Sequence, residues 1–287
     1  MLKVIIVLVM VLVIVLGLVT VASVIAKIQF NRTVEKEVTE LFAHNPSPTG
    51  DIITKADLQG LPPCVQKWLE HAQVVGKERI HTVRLKQRGL MRLKENGPWM
   101  QAEAEQYFTV DKPGFIWTVQ VKMAPLLNFT GRDRYYKGKG VMLIKALSLF
   151  PVVKAQGKEM DQGTLLRYLA EMPWFPTAAL NDYITWEPVD AHSARATMSY
   201  GGISASGVFT FNEQGDLVSF IAKRYRENNG KYELTDWGGI MKEYKEFQGI
   251  RIPNKSDIIW RLETGDFNWF KCEIADIQYN KPVMYER

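Results

Sequence analysis

Asp161, Arg167 and Glu171 come nearest, by type and spacing, to a set that does chemistry: two carboxylates and a guanidinium within one short segment, Asp161 to Glu171. Such a set performs general acid and base catalysis when one carboxyl is held protonated beside a substrate. The plainer reading is structural, since Arg167 and Glu171 are four apart and pair on one helix face. Trp174, Phe175 and Pro176 follow, placed either to close the mouth of a cavity or to pack the helix end. His44, His71, His81 and His192 have no metal-ligand spacing with one another or with Cys64 and Cys272. Nucleophile elbows, phosphate-cradling glycine loops and dinucleotide fingerprints are absent; Gly138-Lys139-Gly140 and Gly201-Gly202 read as turns. No cofactor or metal is expected.

Two basic groupings invite a binding role. Arg84, Lys86, Arg88, Arg92 and Lys94 alternate along one side of a strand, as a rail for anionic lipid headgroups would. The competing reading is an ordinary cross-strand ladder: a two-residue turn at Asn96-Gly97 sets Arg88 opposite Glu105 and Leu90 opposite Glu103. Arg132-Asp133-Arg134-Tyr135-Tyr136-Lys137 offers either a polyanion site or a surface ion-pair lattice. A net charge of +5 is too modest to imply nucleic acid, and base-stacking motifs in a basic field are missing.

The elements that must position these residues are mostly strands. Val83, Leu85, Met91 and Leu93 point one way and the cations the other, with Gln87 and Leu90 out of phase. Strand-like runs continue at Trp99 to Val110, Phe115 to Lys122, Arg134 to Lys139, Val141 to Leu147, Ser193 to Tyr200, Ser204 to Phe211, Leu217 to Arg226, Tyr232 to Trp237, Ile258 to Leu262 and Phe267 to Tyr279. Helices are few: one opened by Pro62-Pro63 and ended by Gly76, and one from Asp161 to Glu171 stopped by Pro173. The expected fold is α+β, mainly antiparallel β, an open or barrel-like curved sheet with a few helices, preceded by one transmembrane helix.

That helix is the stretch from Val4 to Ala26, apolar without a break except Gly17, Thr20 and Ser23, and long enough to cross roughly 30 Å of hydrocarbon. A cleaved signal peptide is the rival, with Val24 and Ala26 as small residues near a cut. Residues 1–26 are read as a signal anchor, 27–50 as a juxtamembrane helix (Val34, Val38, Leu41, Phe42) and linker (Asn45 to Gly50), and 51–287 as one β-rich domain. Lys3 on one side and Lys27, Arg32 and Lys36 on the other nearly balance the charge rule. The short amino tail favours a domain outside the cytoplasmic membrane. Cys64 and Cys272 are read as two buried thiols, with a disulfide as the alternative.

Several runs resemble a bacterial family of membrane-anchored proteins known only as a domain of unknown function: LPPCVQKWL, GPWMQAEAEQYFTVDKPGFIW, GRDRYY, GVMLIKAL, DQGTLLRYLAEMPWFPTAAL, WEPVDAHSARATM and DIQYN, between about Leu61 and Asn280. The resemblance implies no activity. Residues in its distinctive runs are Arg132, Asp133, Arg134, Lys145, Asp161, Arg167, Glu171, Trp174 and Pro176. In shape, the chain is also similar to the lipoprotein-carrier and lipid-carrier fold, an unclosed barrel, and fold does not fix function. The expectation is a non-enzymatic, membrane-tethered module holding a lipid or acyl chain. Its candidate ligand residues are Arg132, Lys145, Asp161, Arg167, Glu171 and Trp174, with Met123 and Phe129 from an apolar, Pro-kinked segment as wall or entry lip. The alternatives are an envelope hydrolase or transferase using the carboxylates, and a protein-binding scaffold or sensor.

Overall fold

The computed structural model describes residues 1–43, 50–124, 127–228 and 230–286. Asn45 to Thr49 of the expected linker, Pro125 and Leu126 of the apolar segment, and Asn229 of one turn signal lie outside them. The expected span and the juxtamembrane helix are a single unbroken helix, α1 (Leu2–Ala43). Its most apolar window has a mean hydropathy of 3.5 and none of it is buried, so it is long and apolar enough to cross a membrane. Below that window Val19, Ala22 and Ser23 become partly covered, and Ala26, Phe30, Val34, Val38 and Leu41 are buried. This spacing of three and four residues is one stripe of a helix. The stripe packs on Tyr107, Ile116 and Tyr285 of the folded domain.

Among the described residues the domain is one antiparallel sheet of thirteen strands. The first six are β1 (Thr82–Met91), β2 (Met100–Thr109), β3 (Gly114–Ala124), β4 (Leu127–Tyr136), β5 (Lys139–Ala146) and β6 (Phe150–Gln156). The other seven are β7 (Ile184–Asp190), β8 (Ser193–Tyr200), β9 (Ile203–Phe211), β10 (Leu217–Asn228), β11 (Lys231–Phe247), β12 (Ile250–Leu262) and β13 (Gly265–Tyr279). Each half is a meander, and the two join where β1 pairs with β13, leaving β6 and β7 as edges. α2 (Pro63–His71), which ends short of the expected stop at Gly76, precedes β1, and α3 (Lys158–Glu171) runs between the two meanders. The expected α+β class and curved antiparallel sheet are therefore what the chain forms.

The alternation of residue types sorts the two faces. Along β1, Val83, Leu85, Gln87 and Met91 face the core while Arg84, Lys86, Arg88 and Leu90 lie on the other side; Leu93, expected with the core set, lies past the end of the strand and is exposed. The two residues out of phase in the sequence keep their phase in the fold: Gln87 is buried, its Oε1 accepting the Trp117 indole N–H at 2.8 Å, and Leu90 is simply exposed. The hairpin register differs from expectation. Arg88 stands opposite Glu103 and Lys86 opposite Glu105, because the connection runs from Arg92 to Trp99 rather than through two residues. A shift of two leaves every side chain on its original face, so the ladder of opposite charges survives it.

Helix α3 lies on the concave side against β5, β9 and β10. Gly140 makes this close seat possible, since a Cβ there would stand 2.5 Å from the Met160 carbonyl oxygen and against Thr164 Oγ1. Asp161, buried at the helix start, accepts the Gly140 N–H at 2.7 Å and a bond from Lys139 at 3.0 Å. Beside it the β4–β5 and β8–β9 turns meet through Gly138 and Gly201. Both have positive φ, and a Cβ on either would lie within 3 Å of the other's Cα. Two distant parts of the sheet are thereby drawn together around α3.

Candidate functional site

The concave face carries a charged floor. Arg167 of α3 donates from Nε to Glu171 Oε1 at 2.8 Å and from Nη1 to Asp133 Oδ2 at 2.5 Å. Its guanidinium lies 4.4 Å over the Trp117 ring, and Gln106 Nε2 donates to the second Glu171 oxygen at 2.7 Å. Strand phase explains the meeting: Asp133 is directly opposite Trp117 across β4–β3, and Trp117 opposite Gln106 across β3–β2. Burial raises the pKa of Asp133 and Glu171, with Arg167 pulling both back down. Burial also works against the Arg167 charge, but its two carboxylates more than offset this and its pKa is raised. Arg167 is therefore a fixed counter-ion, already paired with two carboxylates.

Arg224 of β10 completes the floor and is not saturated. It occupies an inward position after Phe220 and Ala222, both buried, and sits 4.4 Å over the Trp237 ring. Nε lies 3.5 Å from where a Cβ on Gly163 of α3 would stand. Its pKa is pushed down to about 10 by burial and by the neighbouring Arg167. Asp133, Arg167, Glu171 and Arg224 all remain partly exposed, as do the apolar side chains Phe129, Met142, Ile144, Met241, Ile258 and Trp260 on the same face. This is a solvent-reachable bowl with apolar walls and a charged floor.

One end of this face lies near the apolar part of α1. Lys27 Nζ reaches Gln120 on β3 at 3.4 Å, while Leu41 packs at Gly114. The helix covers about 21 Å between those residues and the strand about 20 Å, so the two run side by side in opposite directions. β3 then continues to Ala124, roughly 13 Å further, which brings it level with Val19, where coverage of α1 begins. Leu90, Leu93, Met123, Phe150 and Val152 are exposed at this end. A second concavity, of about 630 Å³, lies on the outer side between Lys27, Phe30 and Asn31 of α1 and the strand residues Lys86, Arg88, Glu103, Glu105 and Gln120.

The residues expected from the sequence are distributed unevenly about this bowl. Arg167, Glu171 and Phe129 line it, and Met123 is on its rim. Arg132 faces outward and bonds Glu37 of α1 at 2.5 Å, with Arg134 reaching Glu37 and Glu40 at 3.8 Å. Lys145, opposite Thr130, is also on the outer face. Asp161 is the seat of α3 rather than part of the bowl; ten residues of helix, roughly 15 Å, separate it from Glu171. Trp174 is buried and its carbonyl accepts the Tyr279 hydroxyl at 2.8 Å. The carboxylates therefore do not converge on a common point. Sequence reasoning missed Arg224, though its signal was present: a cation at the apolar phase of an otherwise alternating strand. Among the described residues no group of three or more His, Cys, Asp and Glu is placed to hold a metal, and Cys64 and Cys272 are buried free thiols.

Three solved structures cover most of the chain. A Vibrio parahaemolyticus domain described as outer membrane lipoprotein-sorting aligns with 75% of this chain and 90% of its own, at 7% identity and a TM-score of 0.43. A DUF1329 family protein from Desulfovibrio piger covers 76% and 93% at 10% identity and 0.37. A beta-barrel-like DUF1849 protein from Brucella abortus covers 70% and 98% at 11% identity and 0.32. At these scores nothing about ligand or activity follows from them. No curated protein matches the chain in sequence. One family model does, over residues 51–272, which takes in all but the last of the thirteen strands in full: the chain belongs to DUF6544, a family of unknown function.

Proposed function

We propose that this protein is a non-enzymatic binding module for a lipid or acyl chain, tethered by α1 to the outer face of the bacterial cytoplasmic membrane. One observation carries the reading: one end of the apolar-walled bowl lies beside the apolar part of α1, and Leu93, Met123 and Phe150 are exposed there. Exposed large apolar side chains gathered at one end of a domain mark a contact surface. Here a bilayer held by α1 is at the right height to meet them. A ligand then passes between membrane and bowl without crossing water.

The hydrolase or transferase alternative needs two carboxylates facing one reacting atom, and Asp161 and Glu171 point to different partners. Native mass spectrometry of the full chain released from nanodiscs tests the proposal. A bound lipid that survives release and is lost on placing a charge at the walls, as in Ile144→Asp, is the expected result. Repeated release of ligand-free protein from several lipid mixtures, with unchanged mass on adding acyl ligands, refutes it.

A further inference from the structure

We propose that the bowl takes its ligand by an oxyanion, a carboxylate or phosphate head, held by Arg224 with the indole N–H of Trp237. The inference rests on the ligand-binding reading above and names the ligand's polar end.

Every other charge on the floor has a partner. Arg167 is held by two carboxylates, Glu171 also by Gln106, and Asp133 by Arg167. Arg224 alone in this set makes no hydrogen bond and no ion pair among the described residues; it has only the faces of Trp237 and, at 6.0 Å, Trp260. A guanidinium carries five N–H donors in a fixed fork that fits a carboxylate or phosphate. Leaving them without an acceptor in a half-enclosed place is costly, and nearby Arg167 adds repulsion. The second observation is independent. Trp237 is 4% exposed, and its Nε1 is a buried donor without an acceptor. Two kinds of unfilled donor thus occur in one contact pair, on the floor of a bowl whose upper walls are apolar. An amphiphile with an anionic head matches both ends: the head reaches Arg224, and the chain runs along Ile144, Phe129 and Ile258 toward the rim.

The arrangement also confines Arg224 between two neighbours. Gly163 supplies the helix surface on one side and the Trp237 ring the other, so the fork is oriented before any ligand arrives. Pre-orientation lowers the entropy lost on binding.

The test is a native mass-spectrometric titration of the full chain in neutral detergent with three probes: dodecanoate, its methyl ester, and inorganic phosphate. A charge-assisted pair predicts that wild-type protein binds dodecanoate about ten- to a hundredfold more tightly than the ester. Arg224→Gln should bring the acid down to the ester's affinity, Arg224→Lys should keep most of the preference, and Trp237→Phe should cost severalfold. Unchanged ester binding by each variant shows that the bowl is still folded. Acid preference without phosphate binding assigns the site to a lipid head; Arg224-dependent binding of phosphate alone assigns it to a free anion and removes the lipid reading while keeping the oxyanion site. Equal binding of acid and ester, indifferent to Arg224, overturns the inference but leaves the lipid module standing. Failure of all three probes overturns both.

Discussion

Replacing Arg167 by Met tests the buried floor most directly. The substitution keeps an unbranched apolar stem while removing the counter-ion of Asp133 and Glu171, whose side chains are only 17% and 12% exposed. Breaking a buried pair and leaving the partner charged costs about 3–5 kcal/mol. In a domain of this size each kcal/mol lowers Tm by about 2–4 °C, so Arg167→Met should melt about 10 °C below wild type at neutral pH. The pH dependence carries a sign. Both carboxyls already have raised pKa values from burial, so the native state holds protons that the unfolded chain has released, and stability falls as pH rises above about 4. Without Arg167 the native pKa values rise further, which widens that window. The variant should therefore lie close to wild type at acid pH and fall away steadily toward neutrality. Thermal melts of the full chain in neutral detergent, followed by tryptophan emission between pH 4 and 8, measure this. Adding Glu171→Leu and Asp133→Asn should restore most of the loss. An Arg167→Met protein as stable as wild type at neutral pH, with the same pH slope, would refute the account of Arg167 as the counter-ion of a largely buried carboxylate pair.

Gly140→Ala should destabilise by about 1–3 kcal/mol or more, since its Cβ meets the Met160 backbone rather than a movable side chain; loss of α3 signals in hydrogen exchange would locate the damage, and a wild-type Tm would contradict the close seat. Cys64 and Cys272 should react slowly with a thiol reagent in the native protein and quickly on unfolding, because burial raises both thiol pKa values. A reporter that matures only in an oxidising compartment, joined after the last residue, should be active, and one that fluoresces only in the cytoplasm should be dark; the reverse pattern removes the extracytoplasmic placement. Glu37→Ala should loosen α1 from Arg132 and Arg134, read as faster hydrogen exchange in α1 between Phe30 and Leu41 with little change in domain melting.

Much of the sheet was legible because alternation in a half-buried strand is forced by the pleat, as in Val83-Arg84-Leu85-Lys86. β6 and β7 were not: their exposed edges carry Pro151 and Pro188 and lack a clear apolar phase. The hairpin register was missed by two because Asn96-Gly97 sits within a longer loop, whose Gly97 N–H bonds Lys94 O at 2.9 Å. The Arg167–Glu171 pair was readable from its spacing, yet its burial was not, since nothing local to α3 reveals that Asp133 arrives from β4. Arg132 and Lys145 belong to distinctive sequence runs, but strand phase sends them outward, where Arg132 is spent on α1.

The absence of any break in α1 has a mechanical consequence. The same rigid rod that carries the apolar residues from Val4 is clamped to the sheet by Phe30, Val34 and Val38 and by the Glu37–Arg132 pair. Domain and rod therefore rise, sink and tilt as one body, with no hinge between them along that contact. In a bilayer, hydrophobic matching fixes the height of such a rod to within a few ångströms. Membrane thickness then becomes a depth setting. On the proposed reading, a thinner bilayer would lift the rim with Leu93, Met123 and Phe150 clear of the acyl region and a thicker one would submerge it, so that lipid composition would govern access to the bowl.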